Sequence, residues 1–438
     1  MTRSRIILAG AAAALTAAAA LLGGVLTETH SRTPASAVDF SADQALSRFS
    51  LGNTEATVGA LQERVQVRPR DAEAHALLGF AYQQRARETG DPNYYPRAAD
   101  VLRRADALAP DNELATSGLA SLALSQHRFG EALGLGRRAQ TLAPTAARNY
   151  GLIGDALVEL GRYEEAFRAF DRMSRLKPNL AAYARISYGR ELIGRQKGAI
   201  QVMSLAVQAA GAQSEPTAWT RVQLGKLHFG RGKLEAARRG FSHALFALPG
   251  YVYALDALAR VEAARGRHER AIELARQAAE TVPLPEFVTT LGDLYWSTGQ
   301  KRLAREQYAL VGATERLLRA NGVRTDLESA LFKVDHGIAL RRALEEARRA
   351  QRERPTVFAD DTLAWALART GECEAALHYS KRALRLGTRD ADFFFHRGMI
   401  ERCLGRRAAA REWFARALEQ NPHFSLLWAP VARRALGG

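Results

Sequence analysis

Small, apolar and polar positions along this chain repeat on a beat of about 34 residues. Pro110, Pro144 and Pro178 are each 34 residues apart, and Pro249 and Pro283 keep the same interval. With Pro355 and Pro422 added after near-multiples of that spacing, seven of the fourteen prolines keep one beat. About half a period ahead of the beat a Gly opens a seven-residue signature: GRYEEAF from Gly161, GRQKGAI from Gly194, GKLEAAR from Gly232 and GRHERAI from Gly266. GQKRLAR from Gly299, GECEAAL from Gly371 and GRRAAAR from Gly405 continue the series. The sixth residue is always Ala: Ala166, Ala199, Ala237, Ala271, Ala304, Ala376 and Ala410.

Each residue type has a physical task. The Gly takes the left-handed conformation that ends a first helix. The Ala lets a second helix approach closely, and an upstream pair such as Leu78-Gly79, Ile153-Gly154, Leu224-Gly225 or Leu291-Gly292 supplies the matching flat spot. The Pro stops the second helix, because it lacks an amide hydrogen and its ring clashes with the preceding turn. One unit is therefore a helix hairpin of about 34 residues, and the expected fold class is all-α.

With these positions in place the chain resembles the tetratricopeptide repeat family. Leu224, Gly225, Ala237, Phe241, Ala244 and Pro249 match that family's pattern, and Phe394, Gly398, Ala410, Phe414, Ala417 and Pro422 match it again. The resemblance implies a right-handed superhelical solenoid of about ten hairpins whose first helices line a concave face. Residues 38–70 read as an N-terminal capping half-repeat, 71–311 as seven units, 312–355 as an irregular helical unit with a turn at Asn321-Gly322, 356–422 as two further units, and 423–438 as a capping helix. The first unit carries extra residues from Glu88 to Tyr95, expected as an extended loop.

Residues 1–37 differ from the rest. Arg3 and Arg5 precede a low-polarity run from Ile6 to Leu26, with Ala35-Ser36-Ala37 as a candidate cleavage site. The run is long for a signal peptide and just long enough for an anchor, so either is open. Both place the repeat array outside the cytoplasm, in the cell envelope or secreted. Membrane contact is expected only through this segment.

The net charge of +16, from 62 Lys+Arg against 46 Asp+Glu, is spread through the helices without a stripe or cluster. That distribution argues against nucleic acid and allows a diffuse preference for an anionic envelope surface. The ten His are scattered without metal-ligand spacing, and no phosphate-cradling loop or catalytic cluster is present. No cofactor and no enzymatic activity are expected.

The register's groove positions are the second, fifth, ninth and twelfth of each unit. They supply the candidate binding residues Tyr188, Trp219, Lys226, Phe229, Tyr253, Arg260, Asp293, Trp296, Phe358, Trp365 and Phe395. Such a surface suits an extended peptide or partner helix held by aromatic anchors. A cell-wall polymer, or a spacer role without a ligand, is the alternative. The Lys, Asn and Arg clamp with which some relatives hold a carboxylate is absent, its positions holding Ala76, Phe80, Ser117 and Ser121. Cys373 opens a second helix and Cys403 closes the next first helix, so antiparallel packing could bring them within disulfide range, in balance with two buried thiols.

Overall fold

A computed structural model describes residues 54–211 and 215–437. The described residues form twenty-two helices and no strand. Helix α1 (Thr54–Val67) leads into hairpins α2 (Ala72–Thr89) with α3 (Tyr94–Leu108), and α4 (Glu113–Ser125) with α5 (Phe129–Leu142). Then come α6 (Ala147–Glu159) with α7 (Tyr163–Leu176), α8 (Leu180–Leu192) with α9 (Gln196–Gln208), and α10 (Glu215–Phe229) with α11 (Leu234–Ala247). The array continues through α12 (Val252–Ala264) with α13 (His268–Thr281), α14 (Pro285–Ser297) with α15 (Lys301–Ala320), and α16 (Asp326–His336) with α17 (Leu340–Glu353). It ends in α18 (Val357–Arg369) with α19 (Cys373–Ala383), α20 (Ala391–Cys403) with α21 (Arg407–Gln420), and a final α22 (Ala429–Gly437). The result is an all-α repeat solenoid. The apolar run Ile6–Leu26 and the Ala35-Ser36-Ala37 site lie outside the described residues, and no described helix is long and apolar enough to cross a membrane.

Local chemistry sets the helix ends. Asp71, Asn112, Asn179 and Thr356 each accept a hydrogen bond from the backbone amide three residues on, which satisfies a donor left open at the start of a first helix. Within a hairpin the two helices meet where one offers no side chain. A Cβ on Gly154, Gly225 or Gly398 would come 2.3 to 2.6 Å from the ring of Phe170, Phe241 or Phe414. The second helix thus lays an aromatic ring directly on the first helix's backbone, and the signature Ala beside it is buried in every unit.

One expectation changes in detail and another holds. The extra residues of the first unit do not form an extended loop. They lengthen α2 to 18 residues, ending at a left-handed Gly90, with only three further residues before α3. Pairing lengthens the helix because residues 80–87 are mostly buried. The segment 312–355 is helical with an irregular joint, as its weak register suggested, with Gly337 and Ala339 both left-handed at φ +68° and +45°. Helix α15 continues into it to Ala320, the chain turns at Asn321-Gly322, and α16 and α17 pair across the left-handed turn at Gly337 and Ala339.

The solenoid coils tightly enough for its second coil to rest on its first. The turns inside the second to fifth hairpins each meet a connection between later hairpins, or the one after the last, about 190–196 residues on. Gln126 Nε2 donates to the Asn321 carbonyl at 2.9 Å, and the Arg324 amide donates to the Gln126 carbonyl at 3.2 Å. Arg354 bridges Glu159 and Glu328 at 2.6 and 3.0 Å, while the Val357 amide donates to the Tyr163 hydroxyl at 2.8 Å. Thr388 donates to the Leu192 carbonyl at 2.5 Å, and Gln420 to the Gly230 carbonyl at 2.8 Å. One apolar core also joins the first hairpin to α12 through α15. The turn glycines therefore do two things at once. Gly161 has φ +69°, and a Cβ there would lie 2.4 Å from the Pro355 carbonyl oxygen of the other coil.

Cys373 and Cys403 are brought within bonding reach, with Cα atoms 5.8 Å apart and α19 beside α20. A bridge closing 30 residues would stabilise the last units by about 3–4 kcal/mol on chain-entropy grounds.

Two outcomes are expected. Gly266 has φ +78° but open space around it, so Gly266→Ala loses only the left-handed preference, about 1–2 kcal/mol. Gly161→Ala must in addition push the coils apart, and its urea midpoint is expected to fall well below that of Gly266→Ala. Equal midpoints would mean the coils do not touch. Thiol titration of the unreduced, denatured protein is expected to find no free thiol, whereas two would show the bridge is not made.

Candidate functional site

Stacking two coils turns the concave face into an interior. Two chambers occupy it. The first, of about 340 Å³, is walled by Tyr188 and Glu191 of α8, Trp219 and Lys226 of α10, and Glu328, Phe358 and Asp390 from the opposite coil. The second, of about 430 Å³, is walled by Arg260, Glu286, Asp293, Asp335, His336, Asp361, Asp392, Phe393 and His396, and by the segment Phe424–Trp428 that leads into α22. Leu327, Glu328, Phe358 and Asp390 line both, so the chambers adjoin.

The predicted binding residues divide accordingly. Tyr188, Trp219, Lys226 and Phe358 line the first chamber, and Arg260, Asp293 and Phe358 the second. Phe229 and Trp296 line separate clefts beside the C-terminal segment. Two residues belong to the core instead, Tyr253 packs half-buried against it, and Trp219, although it lines the first chamber, is itself buried at 6% exposure. Trp365 is 1% exposed, donates its Nε1–H to Asp335 at 2.9 Å and stacks on His396 with ring centroids 4.7 Å apart. Phe395 is fully buried against Phe414, Phe424 and Trp428. Tyr253 packs on Tyr251 and Phe287, each at 5.3 Å. A large ring at a groove position gains more by burial against the next hairpin, or against the C-terminal segment, than by facing water. The carboxylate-clamp positions Ala76, Phe80, Ser117 and Ser121 are all buried.

The interior carries acids that the aromatic pattern drew attention away from. Seven carboxylates wall the second chamber, with Arg260 as the one Arg or Lys among them. The register could have found several: Glu191 is a twelfth position, Asp361 a fifth, and Glu286 and Asp392 are second positions. The adjacent carboxylates Asp360 and Asp361 do point apart. Asp360 is held by Arg382 and Arg385 at 3.2 and 2.5 Å, while Asp361 meets His396 Nδ1 at 2.8 Å.

Burial and crowding shift these groups. Burial, reinforced by Asp390, pushes Glu191 up to about 7. Burial and its acidic neighbours push Asp390 up, and Asp392 well up, with Asp361 repelling the former and Asp390 the latter. For His396 burial pulls downward, but the charges of Asp361, Asp335 and Asp392 outweigh it and hold the imidazole at about 9. Asp293 is already engaged, accepting from the Tyr308 hydroxyl at 2.7 Å and meeting His336 Nε2 at 2.8 Å. Among the described residues no group of three His, Cys, Asp or Glu is placed to hold a metal ion.

Comparison with known proteins agrees with this architecture. Tetratricopeptide repeat models match residues 222–284 and 362–423, and another matches 147–180, which are helices α10–α13, α18–α21 and α6–α7. No curated protein matches the chain. Among solved structures, the human IFIT1 dimer with PPP-AAAA is similar at 16% identity over 77% of this chain and 80% of that one, with a TM-score of 0.48. The APC/C hetero-tetramer Cut9-Hcn1 is similar at 13% identity over 88% and 94%, TM-score 0.38. YrrB, a tetratricopeptide protein with an unusual peptide-binding site, is similar at 22% identity over 42% and 92%, TM-score 0.29. These likenesses concern the repeat fold and carry nothing about a ligand.

The interior makes stability depend on pH. His396 is raised, so its protonation stabilises the fold fully below its ordinary value near 6.5 and is lost as pH climbs through about 9. Its acidic neighbours Asp390 and Asp392 are also raised, and their ionisation lowers stability in the same direction. Unfolding free energy is expected to drop by roughly 3 kcal/mol across that window from the imidazole alone. His396→Gln should flatten the profile, and an unchanged slope would contradict this account.

Proposed function

We propose that this tetratricopeptide-repeat solenoid is a protein-interaction scaffold acting outside the cytoplasm, which receives a peptide segment or partner helix in the interior of its coil. The repeat architecture supports the interaction role. The observation that carries the reading is the pair of adjoining chambers, walled by Tyr188, Trp219 and Phe358 together with polar groups on the first helices. Partly buried rings in a concave, preformed site are the usual anchors for a peptide, and charged groups around them set register and specificity. A site built by several hairpins on a stacked coil is rigid, so little ordering cost falls on the scaffold.

The extracytoplasmic placement rests on the sequence from Arg3 to Leu26. It is checked by mass determination of the mature N-terminus together with protease protection in intact cells. A protected, intracellular chain would overturn it.

Peptides selected from a displayed random library against the full chain test the interior site. Tyr188→Ala with Phe358→Ala is expected to weaken the selected peptides by about 10- to 100-fold, the loss of one strong anchor. Phe246 is 81% exposed on α11, and Phe246→Ala should leave binding unchanged. Equal binding by all three proteins, with unfolding midpoints intact, would place recognition elsewhere.

A further inference from the structure

We infer that the guest of the second chamber is cationic, a Lys or Arg side chain of a basic peptide segment that settles among Asp361, Asp392 and Glu286. This rests on the interior-binding reading above and names the chemistry of its partner. The chain as a whole carries +16, yet seven carboxylates face this one half-open space, offset by Arg260, two imidazoles and the Arg354 that pairs with Glu328. A basic protein that gathers its acids inside has an interior opposite in sign to its surface.

Four of those acids are answered by the fold: Glu328 by Arg354, Asp293 by His336 and Tyr308, Asp335 by Trp365, and Asp390 by the amides of Asp392 and Phe393, which leaves Asp361, Asp392 and Glu286. Asp361 is only 4% exposed, and while one carboxylate oxygen meets His396, the other is buried without a hydrogen-bond partner. Asp392 and Glu286 are half-buried, and neither takes part in a side-chain hydrogen bond or ion pair among the described residues; partial burial raises both. A carboxylate oxygen buried without a partner, as in Asp361, is unfavourable, and crowding like charges around it adds to that. A cation entering the chamber would recover that cost.

The shape and walls select an organic cation. No three of the acids and imidazoles converge closely enough for a metal ion. The space of about 430 Å³ suits a long side chain and its flanking backbone. Phe358 and Phe393 meet edge to face at 5.4 Å on its wall, offering rings to a guanidinium or ammonium stem. The chain already uses this contact nearby, where Arg369 lies 5.2 Å from the Trp365 ring and 5.3 Å from that of Trp428.

Fluorescence anisotropy on the full chain tests the assignment with three labelled peptides of equal length, rich in Lys and Arg, neutral, or rich in Asp and Glu. The surface charge alone would favour the acidic peptide, so preference for the basic one is diagnostic. The basic peptide should bind best, and Asp392→Asn with Glu286→Gln should weaken it 10-fold or more. Both replacements keep side-chain shape and break no hydrogen bond. Glu412→Gln, on the exposed face of α21, should change nothing. A preference for the acidic or neutral peptide that Phe358→Ala abolishes would overturn the cationic guest while leaving the interior site standing. An unaffected basic peptide in the double variant, or spermidine bound as tightly as the peptide, would also overturn it. Binding of none of the three would overturn the interior-binding reading itself.

Discussion

The contact on which the rest of this structure depends is the seam between coils. A repeat solenoid normally offers each hairpin only its two neighbours, and its stability is a sum of nearest-neighbour terms. Here the hairpin turns at Gln126, Glu159, Leu192 and Gly230 are each tied to a connection near Asn321, Arg354, Thr388 or Gln420. Each tie engages a backbone amide or carbonyl, or an ion pair that the turn would otherwise leave to water. Arg354 is the most engaged of these groups, bridging Glu159 and Glu328 while its guanidinium lies 4.8 Å from the Phe129 ring. The seam fixes the pitch of the coil, and pitch decides whether the first helices face an open groove or an enclosed space.

Enclosure then sets the electrostatics. Carboxylates on an open concave face would be hydrated and only weakly coupled. Burial, with Glu191 and Asp390 brought together from the two coils and Asp390 beside Asp392, makes Glu191, Asp390 and Asp392 resist ionisation. A buried imidazolium at His396 and the cation of Arg260 offset part of that charge. Trp365 and Phe395 are buried within the last hairpins, in a core capped by Trp428, so the C-terminal segment seals one end of the array as it supports the second chamber.

Much of the fold is legible in the residues. The proline beat, the turn glycines and the signature alanines report contacts within a hairpin, which local spacing can encode. Gly154 and Phe170 or Gly225 and Phe241 meet because they lie 16 residues apart in one unit. The seam is not legible, because Gly161 looks like any other turn glycine and only the pitch places the Pro355 carbonyl against it. The candidate site falls between these cases. The register located Tyr188, Lys226, Arg260, Asp293 and Phe358 on the interior wall, but it could not tell a ring facing the chamber from one buried between hairpins, as Trp365 and Phe395 are. It also contained Asp361, Asp392 and Glu286, whose acids on a helix face read as ordinary solvated charge until the opposite coil covers them.

Pulsed electron spin resonance between labels at Lys197 and Glu419 tests the closed coil most directly, with Cys373 and Cys403 replaced by Ser. Both positions are exposed and border the same cleft across the seam, although they belong to different coils. A single short, narrow distance is predicted. A long, broad distribution, as an open and flexing solenoid would give, would contradict the stacked coil and with it the enclosed chambers.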